Sequence, residues 1–254
     1  MFRQIIHSDN CAAMDKIILA NPHGSIVDVC VTSPPYKDSD GYTEELMTNV
    51  FTRVYRLLRD DGLFFLNFGH LVEDKFRPFR VCQLAMDRGF HLVETITWVK
   101  NHYSPIQGHK RLNNLTEFVF LMAKNPKYVR PLDRLSIGVP YADKSNVKRF
   151  AGGVDLKCAG NVWYIPYDTI QSKDEKHHND RFPLDLPMRC LKLSGVTQLP
   201  IERRPAILVF DPFSGSGTTC RAAKTLNCDF IGIEKNIKHV EKSKLLLDAV
   251  PSPV

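Results

Sequence analysis

Apolar and polar positions along the chain follow two periods. Residues 25–33 (SIVDVCVTS) are rich in Val and Ile, the pattern of a strand buried on both faces. Over residues 44–59 the period becomes helical. Leu46, Val50, Val54, Leu57 and Leu58 share one face, and Glu44 and Glu45 sit where the helix dipole favours negative charge. Asp60-Asp61-Gly62 reads as the stop of that helix, and residues 63–68 (LFFLNF) as the next strand. A helix fits 74–88, with Pro78 near its first turn and Gly89 just past its end. Strands follow at 91–99 and 117–123. From 124 to 180 the periodicity fades and Pro, Gly, Lys and Arg become frequent. It returns as helix 184–194, strand 206–210, helix 218–226, strand 229–234 and helix 237–248. Strands alternating with helices predict an α/β layer fold with a largely parallel sheet.

Composition narrows the class without naming a function. A chain of 254 residues suits one large domain, or one domain with a small insertion. Apolar residues make up 43% and charged residues 24%, which excludes a disordered chain. No apolar run approaches the ~20 residues of a membrane span. Residues 1–7 lack the apolar core of a signal peptide, so a cytoplasmic protein is expected. The seven cysteines are odd in number and contain no CxxC pair, which argues against a disulfide framework and a zinc site. Buried free thiols are expected instead.

Charge is informative through its distribution. Residues 100–160 hold eleven Lys or Arg against four acids, a net of +7 that exceeds the +6 of the whole chain. Trp98 borders this segment, and His102, Tyr103, His109, Tyr128 and Tyr141 lie within it. Basic groups neutralise phosphates and flat rings stack on bases, which points to nucleic acid. A solvated, loop-rich face fits the same composition.

Two loops carry chemistry. Asp211-Pro212-Phe213-Ser214-Gly215-Ser216-Gly217-Thr218-Thr219 follows a strand and opens a helix, and Glu234 ends the next strand, 23 residues after Asp211. A Gly-rich turn with an acid about 20 residues on is the arrangement that grips a nucleoside, the acid accepting from ribose hydroxyls. A phosphate loop would need Lys after Gly217, and a dinucleotide fingerprint a third Gly. Asp211 would repel a pyrophosphate and suits a cationic ligand. The second loop, Thr32-Ser33-Pro34-Pro35-Tyr36, also follows a strand. Its prolines remove two N–H donors, leaving the Ser33 and Pro34 carbonyls free to accept. With the Ser33 hydroxyl and the Tyr36 ring, the set suits an amino group on a flat ring. A rigid surface turn is the plainer reading of the same pentapeptide.

Taken in order, these motifs resemble the S-adenosylmethionine-dependent DNA amino-methyltransferases in their β-type arrangement. The catalytic S/D-P-P-Y motif, here Ser33–Tyr36, precedes the D-P-F-x-G-S-G-T motif, here Asp211–Thr218. Similarity extends to Gly62–Gly69, Trp98–Lys100, Val162–Pro166, Phe182-Pro183 and Ile231–Glu234, and so covers nearly everything outside about 103–160. The resemblance implies a Rossmann-like class I methyltransferase fold, with a mixed, mostly parallel seven-stranded sheet, helices on both faces and a small recognition insertion. It implies a catalytic half at 1–102, a target-recognition segment at 103–160 that includes the strand near 117–123, and a cofactor-binding half at 161–254. S-adenosylmethionine is the implied cofactor. Thr32, Asp211, Phe213, Ser214, Gly215, Ser216, Gly217 and Thr218 would shape its pocket, Glu234 would bind the ribose, and Phe182 and Pro183 would line the methionine side. Asp9 falls where relatives carry an acid near the adenine.

The same resemblance implies transfer of a methyl group to an exocyclic amine of a flipped base in duplex DNA, with Ser33, Pro34, Pro35 and Tyr36 as the catalytic set. Ser at the first motif position usually accompanies cytosine N4, and Asp or Asn adenine N6. Cytosine N4 is therefore expected, with adenine N6 in DNA or cytidine N4 in RNA as alternatives and an inactive nucleic-acid-binding module as a remote one. A restriction enzyme partner is possible, and monomer and homodimer both remain open.

Overall fold

The computed structural model describes residues 2–22, 24–101, 112–127, 129–143, 154–167 and 182–251. Its strands are β1 (Arg3–His7), β2 (Val27–Thr32), β3 (Leu58–Gly69), β4 (His91–Val99), β5 (Thr116–Ala123), β6 (Val162–Tyr164), β7 (Leu208–Asp211) and β8 (Asp229–Glu234). Its helices are α1 (Asn10–Ala20), α2 (Glu44–Leu57), α3 (Arg77–Met86), α4 (Asp185–Leu193), α5 (Thr218–Thr225) and α6 (Ile237–Asp248). Among the described residues the strands form one sheet in the order β1-β8-β7-β2-β3-β5-β4-β6. Only β5 runs antiparallel to its neighbours, β3 and β4.

The sheet is mixed and mostly parallel, as expected, but has eight strands where seven are expected. The extra edge comes from short strands with little periodicity. β6 has three residues, of which only Trp163 is buried, and among the described residues it pairs with β4 alone. β1 buries only Ile5 and pairs with β8 alone. α1 was equally faint: it buries just Ala13 and Met14, and Asp9 caps it by accepting from the Ala12 N–H at 3.0 Å.

The longer elements follow from their patterns. α2 buries Met47, Val50, Phe51, Val54 and Leu57, and Thr43 caps it by accepting from the Leu46 N–H. The expected stop at Asp60-Asp61-Gly62 lies inside β3, which begins directly after α2. Both acids there hold basic residues: Asp60 pairs with Lys124 at 3.3 Å and Asp61 with Arg130 at 3.1 Å.

Alternation along the strands sends side chains into two cores. Val29, Val31, Leu63, Phe65, Trp98, Val119 and Leu121 join residues of α4, α5 and α6 on one face. Cys30, Phe64, Leu66, Phe68, Phe120 and Met122 join α1, α2 and α3 on the other. Phe64 and Phe65 are both fully buried, and each such ring contributes about 1.5–3 kcal/mol on leaving water. No helix among the described residues is long and apolar enough to cross a membrane.

Candidate active site

Both chemical loops leave the same end of the sheet, because β2 and β7 pair in parallel through Val29–Val209 and Cys30–Phe210. A side-chain bond ties the loops together where the strands end. The buried Thr32 hydroxyl donates to Asp211 Oδ1 at 2.6 Å.

Around Asp211 the nonapeptide folds as a turn of backbone donors. The Phe213 N–H also donates to Asp211 Oδ1, at 3.0 Å. Gly215 N–H donates to Glu234 Oε2 at 2.9 Å, and Asn236 N–H to Glu234 Oε1 at 2.7 Å. Gly215 and Gly217 have φ of +52° and +79°, which favours glycine. A Cβ on Gly217 would strike Ser243 Oγ of α6, whereas one on Gly215 would meet open space. Burial pushes Asp211 up to about 6, against the pull of Thr32, Thr219 and the Phe213 N–H. The Ser216 hydroxyl is buried with no partner among the described residues. An acid short of a cation, an orphaned hydroxyl and an open glycine face fit a ligand that carries both a positive charge and polar groups.

Asp9 is exposed and lies in the turn after β1, beside this loop: the Ser8 N–H donates to Glu234 O at 3.1 Å. Phe182 and Pro183 precede α4, with Phe182 against the core face that holds α4, α5 and α6. Phe213 lies against the opposite core. α4 itself packs on α5 and β2.

The second loop leads into a buried polar cluster. Ser33 Oγ and the Tyr36 hydroxyl are 2.8 Å apart, and Tyr36 donates to Glu117 Oε2 at 3.0 Å. Asn67 Nδ2 lies 2.6 Å from the Tyr36 hydroxyl, 3.0 Å from Glu117 Oε2 and 3.3 Å from Ser33 Oγ. Lys100 Nζ donates to Glu117 Oε1 at 3.0 Å. The Tyr36 ring packs on Phe68 with centroids 4.4 Å apart. Gly69 makes room for it, since a Cβ there would come within 2.8 Å of the Tyr36 ring. Burial, and then the Glu117 charge, raise Tyr36 well above the ordinary phenol range. Arg77 of α3 fixes the loop from behind, donating to the Tyr36 carbonyl at 3.1 Å. Among the described residues no donor reaches the carbonyls of Ser33 or Pro34.

Sequence reasoning brought out Ser33 and Tyr36 but not Asn67, Lys100 or Glu117 as members of this site. Their signal is one of parity. Val29-Val31-Ser33, Leu63-Phe65-Asn67, Trp98-Lys100 and Leu121-Val119-Glu117 each carry an apolar stripe of one core to a polar end. Because β5 is antiparallel, its N-terminal Glu117 falls opposite Gly69 and Trp98 at the C-terminal ends of β3 and β4.

The basic segment is partly spent on the fold. Lys100 pairs with Glu117, Lys124 with Asp60, and Arg130 with Asp28 at 3.0 Å as well as with Asp61. Lys127, Arg134 and Lys157 are exposed. Lys110, Arg111, Lys144, Lys148 and Arg149 lie outside the described residues, as do His102, Tyr103, His109 and Tyr128. All seven cysteines are free, and five of them, Cys30, Cys82, Cys190, Cys220 and Cys228, are buried. Burial pushes Cys82 up to about 11, which makes it a poor nucleophile.

Known proteins resemble the chain along most of its length. M.BglII, a type II methyltransferase of Bacillus subtilis, is 27% identical over 253 residues, covering 93% of this chain and 67% of its own. The DNA adenine methyltransferase YhdJ of Escherichia coli (strain K12) is 25% identical over 263 residues, covering 97% and 83%. Among solved structures, PvuII DNA methyltransferase (cytosine-N4-specific) superposes with a TM-score of 0.68 at 18% identity, covering 95% of this chain and 84% of that one, a likeness of fold. The model of the N6/N4 methyltransferase family, described as DNA methylase, matches residues 27–245. That span contains both loops and the strands that carry them, and the chain therefore belongs to this family of S-adenosylmethionine-dependent DNA methyltransferases.

Proposed function

We propose that this DNA methyltransferase acts on the exocyclic N4 amine of cytosine, with the base rotated out of the duplex. The observation that carries the reading is Ser33, a hydroxyl at the first position of the motif, placed 2.8 Å from the Tyr36 hydroxyl and next to the Pro34 carbonyl, which no donor among the described residues reaches. The likeness in fold to a methyltransferase described as cytosine-N4-specific supports it.

The cofactor site has residues of the right kind. Asp211 would face the cationic end of the cofactor, and Glu234 would accept from the ribose while keeping its two backbone donors. Ser214, Ser216 and Thr218 would supply hydroxyls, Gly215 and Gly217 close approach, and Phe213, with Thr32 behind Asp211, one wall. Phe182 and Pro183 would line the methionine side, and Asp9 the adenine side. When bound, S-adenosylmethionine supplies an electrophilic methyl group on a sulfonium.

This chain's residues would prepare the amine to meet it. The lone pair of an exocyclic amine is delocalised into the ring. Two acceptors, Ser33 Oγ and the Pro34 carbonyl, would take its two N–H groups and favour a more tetrahedral nitrogen. Pro35 stiffens the turn that presents them, and the Tyr36 ring, backed by Phe68, offers the base a flat surface. The gain is one of positioning and fixed electrostatics. Rotating the base out costs a few kcal/mol. Phosphate contacts from the recognition segment at 103–160 would offset that cost, through those basic groups that are not already paired.

Sequencing DNA from cells that express the protein, by a method that resolves N4-methylcytosine from N6-methyladenine, tests this directly. N4-methylcytosine at one short sequence is the expected result. N6-methyladenine would move the activity to the second reading, which YhdJ, named as an adenine methyltransferase, favours. Neither mark in DNA, with N4-methylcytidine in RNA, would overturn both.

A further inference from the structure

The Ser33–Tyr36–Glu117 chain of hydrogen bonds has a direction, and the direction is set from its buried end. Glu117 meets the Lys100 ammonium at 3.0 Å and offers only lone pairs to its other neighbours. The Tyr36 hydroxyl, which keeps its proton, donates to Glu117 Oε2. Its oxygen is then left to accept. The Ser33 hydroxyl, 2.8 Å away, has a single hydrogen and donates it to Tyr36. Asn67 Nδ2 donates into the same cluster and is compatible with that sense. Ser33 Oγ is left with lone pairs alone for whatever lies on its open side. Pro34 has no N–H and offers a carbonyl. Ser33 Oγ and the Pro34 carbonyl are therefore both left as acceptors.

We infer that Glu117 is a positioning residue that fixes this polarity and makes the site select a base edge bearing NH2 over one bearing a carbonyl oxygen. The inference rests on the methyltransferase reading above and deepens it. It holds for an amino group on cytosine or on adenine, since the acceptors read the amine and not the ring. Glu117 need touch no substrate, because it acts through Tyr36 and Ser33.

Glu117→Gln separates polarity from packing. An amide that turns its oxygen to Lys100 turns its N–H groups to Tyr36. Tyr36 then donates to Ser33, and Ser33 donates outward, towards an amine that has no good acceptor to give it. The measurement uses duplexes containing the sequence that the wild-type enzyme methylates, with either the target base or its deaminated counterpart (uracil for cytosine, hypoxanthine for adenine). Affinities for the two duplexes are compared in the presence of S-adenosylhomocysteine. The cost of unpairing differs between the duplexes but is common to both enzymes, so it cancels in the change of the ratio.

Glu117→Gln is expected to lower the amino-to-carbonyl affinity ratio about tenfold, the scale of one hydrogen bond reversed at a buried site. Turnover should fall at least as far, while affinity for S-adenosylhomocysteine stays within about twofold. Tyr36→Phe keeps the ring on Phe68 and cuts the chain, so it should lower the ratio too. Adding Glu117→Gln to Tyr36→Phe should then lower it no further. A ratio unchanged in Glu117→Gln overturns the inference. If that variant does not fold, a ratio unchanged in Tyr36→Phe overturns it equally. A wild-type enzyme that methylates no amine in DNA removes the functional reading and the inference together, whereas a methylating enzyme with an unmoved ratio removes the inference alone.

Discussion

The two loops at the C-terminal ends of β2 and β7 solve similar problems by different means. The Asp211–Thr218 turn is contiguous: its polar groups come from one stretch of chain plus Glu234, and backbone N–H groups hold both carboxylates. The cluster behind Ser33 is assembled from β2, β3, β5 and the end of β4, and side chains bond to side chains. A contiguous turn tolerates the loss of one side chain because its backbone donors remain. A buried network of side chains does not, because each deletion strands a polar partner that has already left water. The two regions should therefore fail differently.

The largest effect should fall on the assembled side. Ser33→Ala and Tyr36→Ala are each expected to cut turnover by about 100-fold or more, in the range of a lost preorganised polar contact. Cofactor affinity, measured by calorimetry, should stay near the wild-type value. Equal loss of turnover and affinity would mean that these residues hold up the fold, and would erase the contrast.

On the contiguous side, Asp211 allows a sharper test. Its carboxyl is raised from an ordinary 3.8 to about 6, chiefly by burial. The folded state thus holds this proton more tightly than the unfolded state. Its support for the fold is full below about pH 4 and is lost as pH rises through about 6. At neutral pH the ionised, buried carboxylate is a burden of about 3 kcal/mol at most. Asp211→Asn should therefore raise the melting temperature of the cofactor-free protein at pH 8 and not at pH 4. It should weaken S-adenosylmethionine binding at pH 8 by about tenfold, as one charge contact is lost. Wild-type affinity should also decline as pH falls through about 6, since the cationic ligand favours the ionised form. A melting temperature that drops at pH 8 would show that the hydrogen bonds to Asp211 outweigh its burial.

The smallest effect belongs to Asp9. Its carboxylate caps α1, so Asp9→Ala should cost about 1 kcal/mol of stability by denaturant unfolding, while Asp9→Asn should cost little. An affinity for S-adenosylmethionine that falls in both variants would extend the cofactor site to β1. An affinity unchanged in both would confine Asp9 to the cap.

These differences also explain what could be read in advance. The nonapeptide at Asp211 and the acid at Glu234 stand out because glycine spacing and strand ends are local properties. The major strands and helices stand out because burial imposes a period of two or of nearly four on the chain. β1, α1 and β6 were faint because each buries only one or two side chains. Asn67 and Glu117 sat in plain view inside apolar strands, one in LFFLNF and the other heading EFVFLMA. Each breaks the apolar run on the core-facing parity, the mark of a buried polar group that must find partners. Part of the basic excess is spent inside the fold, because composition counts charges and not their partners. Lys100, Lys124 and Arg130 are committed to carboxylates from distant stretches of chain.

From the sequence alone came the alternation of strands and helices, the two loops with their chemistry, and the order of motifs that marks the family. The first two follow from short-range rules of periodicity, turn geometry and donor removal by proline, and the third from resemblance to known motifs. Only the tertiary structure decided that β5 runs against its neighbours. That reversal carries Glu117 to the ends of β3 and β4, beside Tyr36, Asn67 and Lys100. Strand direction and register are set by pairing across long stretches of chain, so which polar residues meet at one end of the sheet is a property of the folded whole.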